Sequence, residues 1–442
     1  MSRRNFLKSF GLLGPASVLS SREAAAQTSG APGLDLGDID VIDVHVHPPQ
    51  PMTLRQSYEG WNSSFVDALL PAYDYPQKEE LREKLGSVFK GHLYRMPRQI
   101  GYYNYMARVH GVEPTLEGFD SVLEKKLKGD FSEYVASILD REKIPAVVLQ
   151  SRGSEPVRPE SAIPGNRFVW TYSIGDLIQP TWPRAQEARA LGEVLERVDI
   201  ILKRAAENEC RGIKIPIAYY RPIVIEAVER DEAERALNAF RDVPPSGQRA
   251  FPGPTPLYDD PALTKAVHVY QDYLLKHMYV RAGELGLKVI IHTAVGLHPG
   301  LRFDYNSPVG MYHTFQNDDV KRAYTEFVLI HTGYPYHHHV AALLSQFPNV
   351  YADVSFYAKF PGTLEETMKA FLSLAPSEKV MHGSDSNNVP EEIGYCADNS
   401  RRVLGKLLNE FRSYYGWTDK DCRTAARNVL SDNARRIYRI PA

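Results

Sequence analysis

IDVHVH, at Ile42–His47, is an apolar stretch that ends in two histidines one residue apart. Side chains alternate between the two faces of a strand, so His45 and His47 would point to the same side and could share one cation. A His-x-His pair alone is weak evidence, because such pairs are more often structural or surface features. The meaning of this stretch therefore depends on what the rest of the chain supplies.

Seven further apolar runs follow this stretch, and segments with helical periodicity separate them. In the segment from Leu191 to Leu202, for example, apolar residues recur every third or fourth position. Regular alternation of this kind predicts βα units around a parallel sheet, and eight units predict a (β/α)8 TIM barrel. The predicted strands are Asp40–Val46, Pro145–Gln150, Phe168–Ile174, Gly212–Ala218, Leu287–His292, Phe327–His331, Val350–Val354 and Lys379–His382.

Two long stretches exceed the minimal pattern, and both follow predicted strands. Residues 48–129 form a largely helical insertion after strand one, and Tyr219–Pro261 form a second insertion after strand four. Loops after strands lie at the catalytic face of a barrel, so each insertion is interpreted as a lid or a substrate-binding wall. The alternative is helical decoration or an oligomer interface, for which the tyrosines at 102, 103 and 105 are suited.

The ends of other predicted strands carry further side chains that can bind a metal together with the histidine pair. His292 ends strand five, His331 ends strand six, and Asp385 follows strand eight. The C-terminal ends of the strands form the face at which barrels carry out their chemistry. The accidental occurrence of metal-capable side chains at four such strand ends is improbable. The pattern predicts that His45, His47, His292 and Asp385 hold a divalent metal, with His331 as a further ligand. Zinc is favoured and Mn, Fe or Co are alternatives, because imidazoles and a carboxylate accept all four.

The metal pattern and several longer motifs resemble the amidohydrolase superfamily, in its amidohydrolase-related branch (amidohydrolase 2). The narrower likeness is to the amidohydrolase domain that some plant and fungal proteins carry beside a glutamine-synthetase-like domain. The 442 residues show no likeness to the glutamine-synthetase-like domain itself. The motifs that carry it are Gly212-Ile213-Lys214, Ile291-His292-Thr293, His331-Thr332-Gly333-Tyr334-Pro335 and His382-Gly383-Ser384-Asp385.

The resemblance implies hydrolysis of an amide or related bond by a metal-activated water. A bound cation lowers the pKa of water from about 15.7 toward about 7. Asp385 would take the proton and return it to the leaving group. His331 would bind a second metal or polarise the substrate carbonyl. One metal ion is favoured over two.

Three basic residues are candidates for the substrate site. In binuclear members of the superfamily a strand-four lysine is carboxylated and bridges two metals. Lys214 is expected not to bridge, because it lies early in the predicted strand. It should instead meet a carboxylate, which is that of Asp385, of a neighbouring acid or of the substrate. Arg221 and Arg302, after strands four and five, could clamp a substrate carboxylate, although surface ion pairing explains them equally well.

The run His337-His338-His339 is interpreted as a solvated helix start. Three consecutive residues on a helix point in three directions and cannot all join one site.

Two rival functions remain open. Nonoxidative decarboxylases of the same branch use the same type of metal site, although many of them resemble variants with an acid at the first histidine, so His45 favours hydrolysis. A catalytically inactive periplasmic binding protein on a barrel scaffold is the third reading, and Asp385 argues against it.

The first residues resemble a twin-arginine export signal. Arg3-Arg4 is followed by a weakly apolar stretch and by Ala24-Ala25-Ala26, after which cleavage is expected. The expected organisation is a signal peptide at 1–26, a linker at 27–38 and the barrel at 39–442, with a periplasmic location. The apolar run is too short to remain in a membrane, since a permanent span needs about 20 residues.

Composition limits the partners. A formal net charge of -2 gives no basic face for nucleic acid, and three cysteines supply neither a disulfide framework nor a thiolate metal site. The expected partner is a small-molecule substrate that carries a carboxylate, and a homo-oligomer is compatible with the sequence.

Overall fold

The computed structural model describes residues 34–70, 75–153, 155–175, 190–244 and 258–441. The predicted signal peptide lies outside the described residues, as does most of the predicted linker.

Eight parallel strands pair in sequence order, each with the next, and the prediction of a (β/α)8 TIM barrel is confirmed. The barrel closes because residues after strand eight bind to strand one: Val44 N donates to His382 O, and Asp43 Oδ1 accepts from the backbone N of Ser384. The strands are β1 Ile42–Val46, β2 Ala146–Ser151, β3 Phe168–Ser173, β4 Gly212–Ile215, β5 Lys288–His292, β6 Phe327–Ile330, β7 Val350–Asp353 and β8 Val380–Met381.

Strand four is shorter than its apolar sequence predicts. It ends at Ile215 because Pro216 has no N–H for the ladder, and a 3₁₀ turn follows at Ile217–Tyr219. Lys214 is therefore the last residue but one of β4. The prediction that it lies early in its strand is wrong.

Helices cover the barrel between the strands. Gly286, with φ of 68°, follows the helix before β5, as expected of a residue that ends a helix in the left-handed region. These helices are α5 Phe131–Arg141, α6 Leu191–Glu207, α8 Pro261–Glu284, α9 Met311–Gln316, α10 Asp318–Arg322, α11 His337–Gln346, α12 Pro361–Leu374, α13 Glu391–Tyr414, α14 Asp419–Arg427 and α15 Asn433–Tyr438. No helix among the described residues is long and apolar enough to cross a membrane.

Side chains fill the inside of the barrel. Apolar residues of β1, β2, β5, β6, β7 and β8, such as Val44, Ile290 and Met381, form a buried cluster with Ile437 and Tyr438 of α15. Because α15 closes the lower end, the space for a ligand is at the opposite end, where the strands terminate.

The insertion after β1 consists of four helices: α1 Leu54–Leu69, α2 Lys78–Leu93, α3 Pro97–His110 and α4 Leu116–Lys126. Helix α1 begins with a capping box between Thr53 and Gln56, and Leu54 N donates to the Asp120 carboxylate. Tyr102 and Tyr105 are buried against Tyr395 of α13. These two tyrosines therefore belong to the core of one chain and not to an oligomer interface.

The insertion after β4 contains α7 Arg230–Phe240. Residues 245–257 lie outside the described part of the chain. The helical insertions after strands one and four are thus both present.

Candidate metal and active site

A cavity of about 430 Å³ lies at the C-terminal ends of the strands. This volume suits a small molecule. Helix α1 forms one wall, the segment after β5 forms another, and the residues at the strand ends form the floor. Lining residues from α1 include Gln56, Trp61 and Ser64, and those from the strand ends include His47, Arg152, His292, His331 and Asp385.

Three of the predicted metal ligands converge at the floor of this cavity. His45, His331 and Asp385 each place one ligand atom within 4.8 Å of the others. His47 joins them, because His45 Nε2 and His47 Nε2 each lie 3.3 Å from Asp385 Oδ1. The alternation of β1 thus brings the two imidazoles to one carboxylate oxygen.

The group has the properties that a divalent cation requires. His45 Nε2 is buried and makes no hydrogen bond of good geometry, although it lies 3.3 Å from the Asp385 carboxylate. An unpartnered buried nitrogen is costly unless an ion or a water meets it. Imidazole nitrogens with one carboxylate form a donor set that suits zinc and other divalent transition metals.

The protonation states also fit metal binding, because ligands must be deprotonated. Burial lowers the pKa of His45 to about 3, and it lowers the pKa of His331 well below its usual value. Burial acts to raise the pKa of Asp385, but His331, His45 and His47 outweigh it and hold that pKa well below its usual range. The imidazoles are neutral and the carboxylate is charged at neutral pH.

His331 is held in place by a second layer of polar groups. Its Nδ1 lies 2.8 Å from Ser355 Oγ, which donates to Asp353 Oδ1 at 2.6 Å, and the same oxygen accepts from the His331 backbone N at 2.9 Å. His331 has a φ of 65°, a costly conformation for a residue with a side chain. Asp353 and Ser355 stabilise this backbone, so Nε2 is left to face the group.

Asp385 has a comparable support. Its φ is 54°, and its backbone N donates to His45 O at 2.8 Å. Lys359 Nζ donates to Asp385 O at 2.8 Å and pairs with Glu392 at 3.1 Å, and both side chains are buried. The strained backbone that aims the carboxylate is thus fixed by a buried ion pair.

His292 lies beside the group but its ring nitrogens have other partners. Nδ1 is 3.2 Å from the hydroxyl of Tyr219, Nε2 is 2.9 Å from Ala294 O, and the ring centroid is 4.7 Å from that of His331. A role as a ligand would require one of these two contacts, with Tyr219 or with Ala294, to be released, and it stays a prediction.

Lys214 is buried close to the group. Its Nζ donates to Gln150 Oε1 at 3.5 Å, and no carboxylate oxygen of the described residues lies within 4.0 Å of it. Burial lowers its pKa to about 7, and the charge of Asp385 opposes this shift. Among the described residues no acid is the expected carboxylate partner, which leaves a substrate carboxylate as the remaining expectation. Because β4 ends at Ile215, one residue after Lys214, the reason for expecting a non-bridging role no longer holds.

The two arginines predicted to bind substrate lie outside the cavity lining. Arg221 is buried, donating to Asp272 Oδ1 at 2.6 Å and to the carbonyls of His268 and Val224, each at 3.0 Å. These contacts tie the loop after β4 to α8 and give Arg221 an acid partner within the protein, and its role in substrate binding stays a prediction. Arg302 is half exposed and pairs bidentately with Asp304 at 3.0 and 2.6 Å. It matches the surface ion pair that the sequence left open.

Arg152 is the cationic side chain that sequence reasoning missed. It lines the cavity, and its Nη2 lies 3.3 Å from His47 Nδ1. Among the described residues, no carboxylate pairs with it within 4.0 Å. Arg152 directly follows β2, so the rule that strand ends carry site residues could have found it.

The comparisons with known proteins agree with this geometry. The amidohydrolase family model matches residues 195–440, and the chain belongs to this family. Protein fluG of Emericella nidulans is 26% identical over 231 residues, which are 52% of this chain and 25% of that protein. The chain therefore matches about a quarter of the length of that relative. The predicted resemblance to the amidohydrolase-related branch, and to the amidohydrolase domain found beside glutamine-synthetase-like domains, is confirmed.

Two solved structures share the fold across nearly the whole chain. A candidate metal-dependent hydrolase from Lactobacillus casei has a TM-score of 0.66 at 15% identity, covering 92% of this chain and 98% of that one. A uronate isomerase from Thermotoga maritima has a TM-score of 0.64 at 15% identity, covering 91% and 95%. At this identity the likeness shows the fold alone.

Proposed function

We propose that the protein is a metal-dependent hydrolase that cleaves an amide or related carboxylic-derivative bond of a small, carboxylate-bearing substrate. The observation that carries this proposal is the charged Asp385 carboxylate, 3.3 Å from two neutral imidazoles at the floor of an open cavity. Such a group combines a cation site with a proton acceptor in one place. Family membership supports an enzyme of this general type.

The residues that would hold the cation are His45, His331 and Asp385, with His47 adjacent. One zinc ion is the proposed occupant. When bound, a divalent cation polarises carbonyl oxygens and lowers the pKa of water toward about 7. Burial holds the imidazoles of His45 and His331 neutral, and Ser355 and Asp353 orient that of His331.

Asp385 is the proposed acid-base residue. Its pKa lies well below its usual range, so at neutral pH the carboxylate is in the unprotonated form that a general base requires. An amide nitrogen leaves poorly as an anion, so the same carboxyl would then donate this proton to the leaving nitrogen. The Lys359 contact to the Asp385 carbonyl keeps the side chain at the cavity floor through both steps.

Arg152 is the proposed anchor for the substrate carboxylate, in place of Arg221 and Arg302. Its guanidinium faces the cavity beside His47, and a planar guanidinium can hold a carboxylate with two parallel hydrogen bonds. Trp61 and Phe356 line the same cavity and supply apolar contact for the rest of a small molecule.

Arg152→Met is expected to reduce kcat/KM for the carboxylate substrate by about 10- to 100-fold, because hydrogen bonds to charged groups are worth about 1.5–3 kcal/mol. The loss should fall mainly on KM. Arg152→Lys should recover part of it, since an ammonium keeps the charge without the bidentate geometry. Arg302→Met is the matched control and should leave KM unchanged. Equal effects of the two Met variants would contradict the assignment.

The reaction class is tested by isotope incorporation. Amides, lactones and aromatic carboxylates are screened with tag-free protein, and the active substrate is turned over in ¹⁸O-labelled water. A hydrolase puts one labelled oxygen into the carboxylate product. Release of carbon dioxide with solvent deuterium at carbon and no label would establish nonoxidative decarboxylation instead. A protein that binds the screened ligands without turnover would be an inactive binding protein.

We also propose that residues 1–26 direct export to the periplasm by the twin-arginine route. The support is the order of the arginine pair, the apolar stretch and the alanines at 24–26. Replacing Arg3 and Arg4 with Lys is expected to leave an uncleaved precursor in the cytoplasm. Intact mass measured in each cell fraction checks this, and normal processing of the variant would show that the signal was misidentified.

A further inference from the structure

A second cluster of metal-capable side chains lies outside the barrel mouth. His337 and His338 begin α11, Glu366 lies on the neighbouring helix α12, and one ligand atom from each lies within 4.8 Å of the others. None of the three lines the catalytic cavity. The cluster therefore needs an explanation separate from the site described above.

His337 is the decisive member. It is only 3% exposed, and neither of its ring nitrogens makes a hydrogen bond of good geometry. Nε2 nevertheless lies 3.4 Å from Glu366 Oε1. A buried polar atom without a partner is rare in native proteins and points to a missing water or ion.

The surroundings fix the rings toward one another. His337 lies parallel to the ring of Tyr334, with an interplanar angle of 5°, and its centroid is 4.5 Å from that of His338. His339 instead contacts Tyr336. Successive side chains on a helix diverge, so two of the three histidines can share a ligand while the third cannot. The interpretation of this run as only a solvated helix start is incomplete.

We propose that His337, His338 and Glu366 bind a second transition-metal ion, with zinc as the fitting metal. Two imidazoles and one carboxylate are common zinc ligands, and the exposed side chains of His338 and Glu366 leave room for water at the fourth position. The ion would join the start of α11 to α12. It would also fix Tyr334, three residues from His331 along the chain.

The test uses tag-free full-length protein whose barrel-mouth site is already loaded and whose turnover is known. Zinc is titrated by calorimetry, and the melting temperature is followed at each concentration. Wild type should take up one further equivalent of zinc and melt higher as zinc rises. His338→Ala and Glu366→Gln should each weaken this uptake by about tenfold or more, since even loss of a supporting contact costs about 10- to 100-fold.

His339→Ala is the matched control, because it removes a neighbouring histidine that lies outside the cluster. It should retain the second equivalent and the zinc-dependent rise in melting temperature. His338 and Glu366 are exposed, so their variants should fold and keep normal turnover. The proposal is overturned if wild type takes up no further zinc, if uptake survives both cluster variants, or if His339→Ala abolishes it equally. None of these outcomes affects the assignment of the barrel-mouth site.

Discussion

Asp385→Asn is expected to reduce turnover by more than the 10²- to 10⁴-fold that general acid-base catalysis typically contributes. The variant loses the proton acceptor, the proton donor and the one negative charge among the converging ligands at once. Asp385 is the one acid of the described ligand group, and its neighbours in that group are imidazoles. No other member of the group can therefore replace it as the acid-base residue. Steady-state kinetics on the substrate found by screening, with zinc saturating, measure the loss.

Binding should survive in this variant, because Arg152 and the wall formed by α1 are unchanged. A phosphonate analogue of the substrate is therefore expected to bind to Asp385→Asn while turnover is nearly lost. Asp318→Asn is the charge-matched control, since Asp318 is an exposed residue of α10 that belongs neither to the cavity lining nor to the ligand group. A variant at Asp385 that retained a tenth or so of wild-type activity would contradict the acid-base role.

His45→Ala is expected to lose the metal ion of the barrel mouth together with activity. Removing a ligand should weaken binding by more than the roughly 10- to 100-fold that loss of a supporting hydrogen bond costs. The barrel should still fold, because the apolar cluster inside it lies below the site. Elemental analysis after dialysis should show one equivalent less than wild type, and circular dichroism should show the same secondary structure.

His313→Ala is the control for this experiment, as His313 is an exposed histidine of α9 outside both metal clusters. It should keep the full metal content. If His45→Ala kept it as well, the barrel-mouth assignment would be wrong. His292→Ala is informative in the same assay: loss of metal would support a ligand role, in which one ring nitrogen exchanges its contact with Tyr219 or Ala294 for the ion.

Periodicity made the barrel predictable from the sequence. All eight apolar runs are strands, because a strand buried on both faces needs a nearly continuous apolar run. The strand ends then located His45, His47, His331 and Asp385, since a side chain at the end of a barrel strand can only lie near the rim. The sequence is sufficient to predict the position of a side chain where the backbone alone determines that position.

The rest depended on side-chain partners that no local pattern specifies. Arg221 follows a strand as expected, yet its long side chain turns away to Asp272 on α8. Apolar residues continue past Pro216, so the sequence predicts a longer strand four than the ladder forms, and Lys214 lies nearer the end of β4 than the sequence indicates. Arg152 was overlooked although it occupies the same kind of position as the residues that were found. The position of a residue in the sequence does not show which of these cationic side chains forms an ion pair with an acid of the protein.

The wall formed by α1 has a consequence for how this barrel can diversify. Gln56, Trp61 and Ser64 face the cavity from one contiguous helix, and none of them belongs to the group of converging ligands. Its own cap and the Asp120 carboxylate hold the start of this helix in place. Mutations on its inner face can therefore alter which molecules enter while the reactive centre is preserved. Libraries confined to these three positions should yield descendants with new substrate ranges and an unchanged type of reaction.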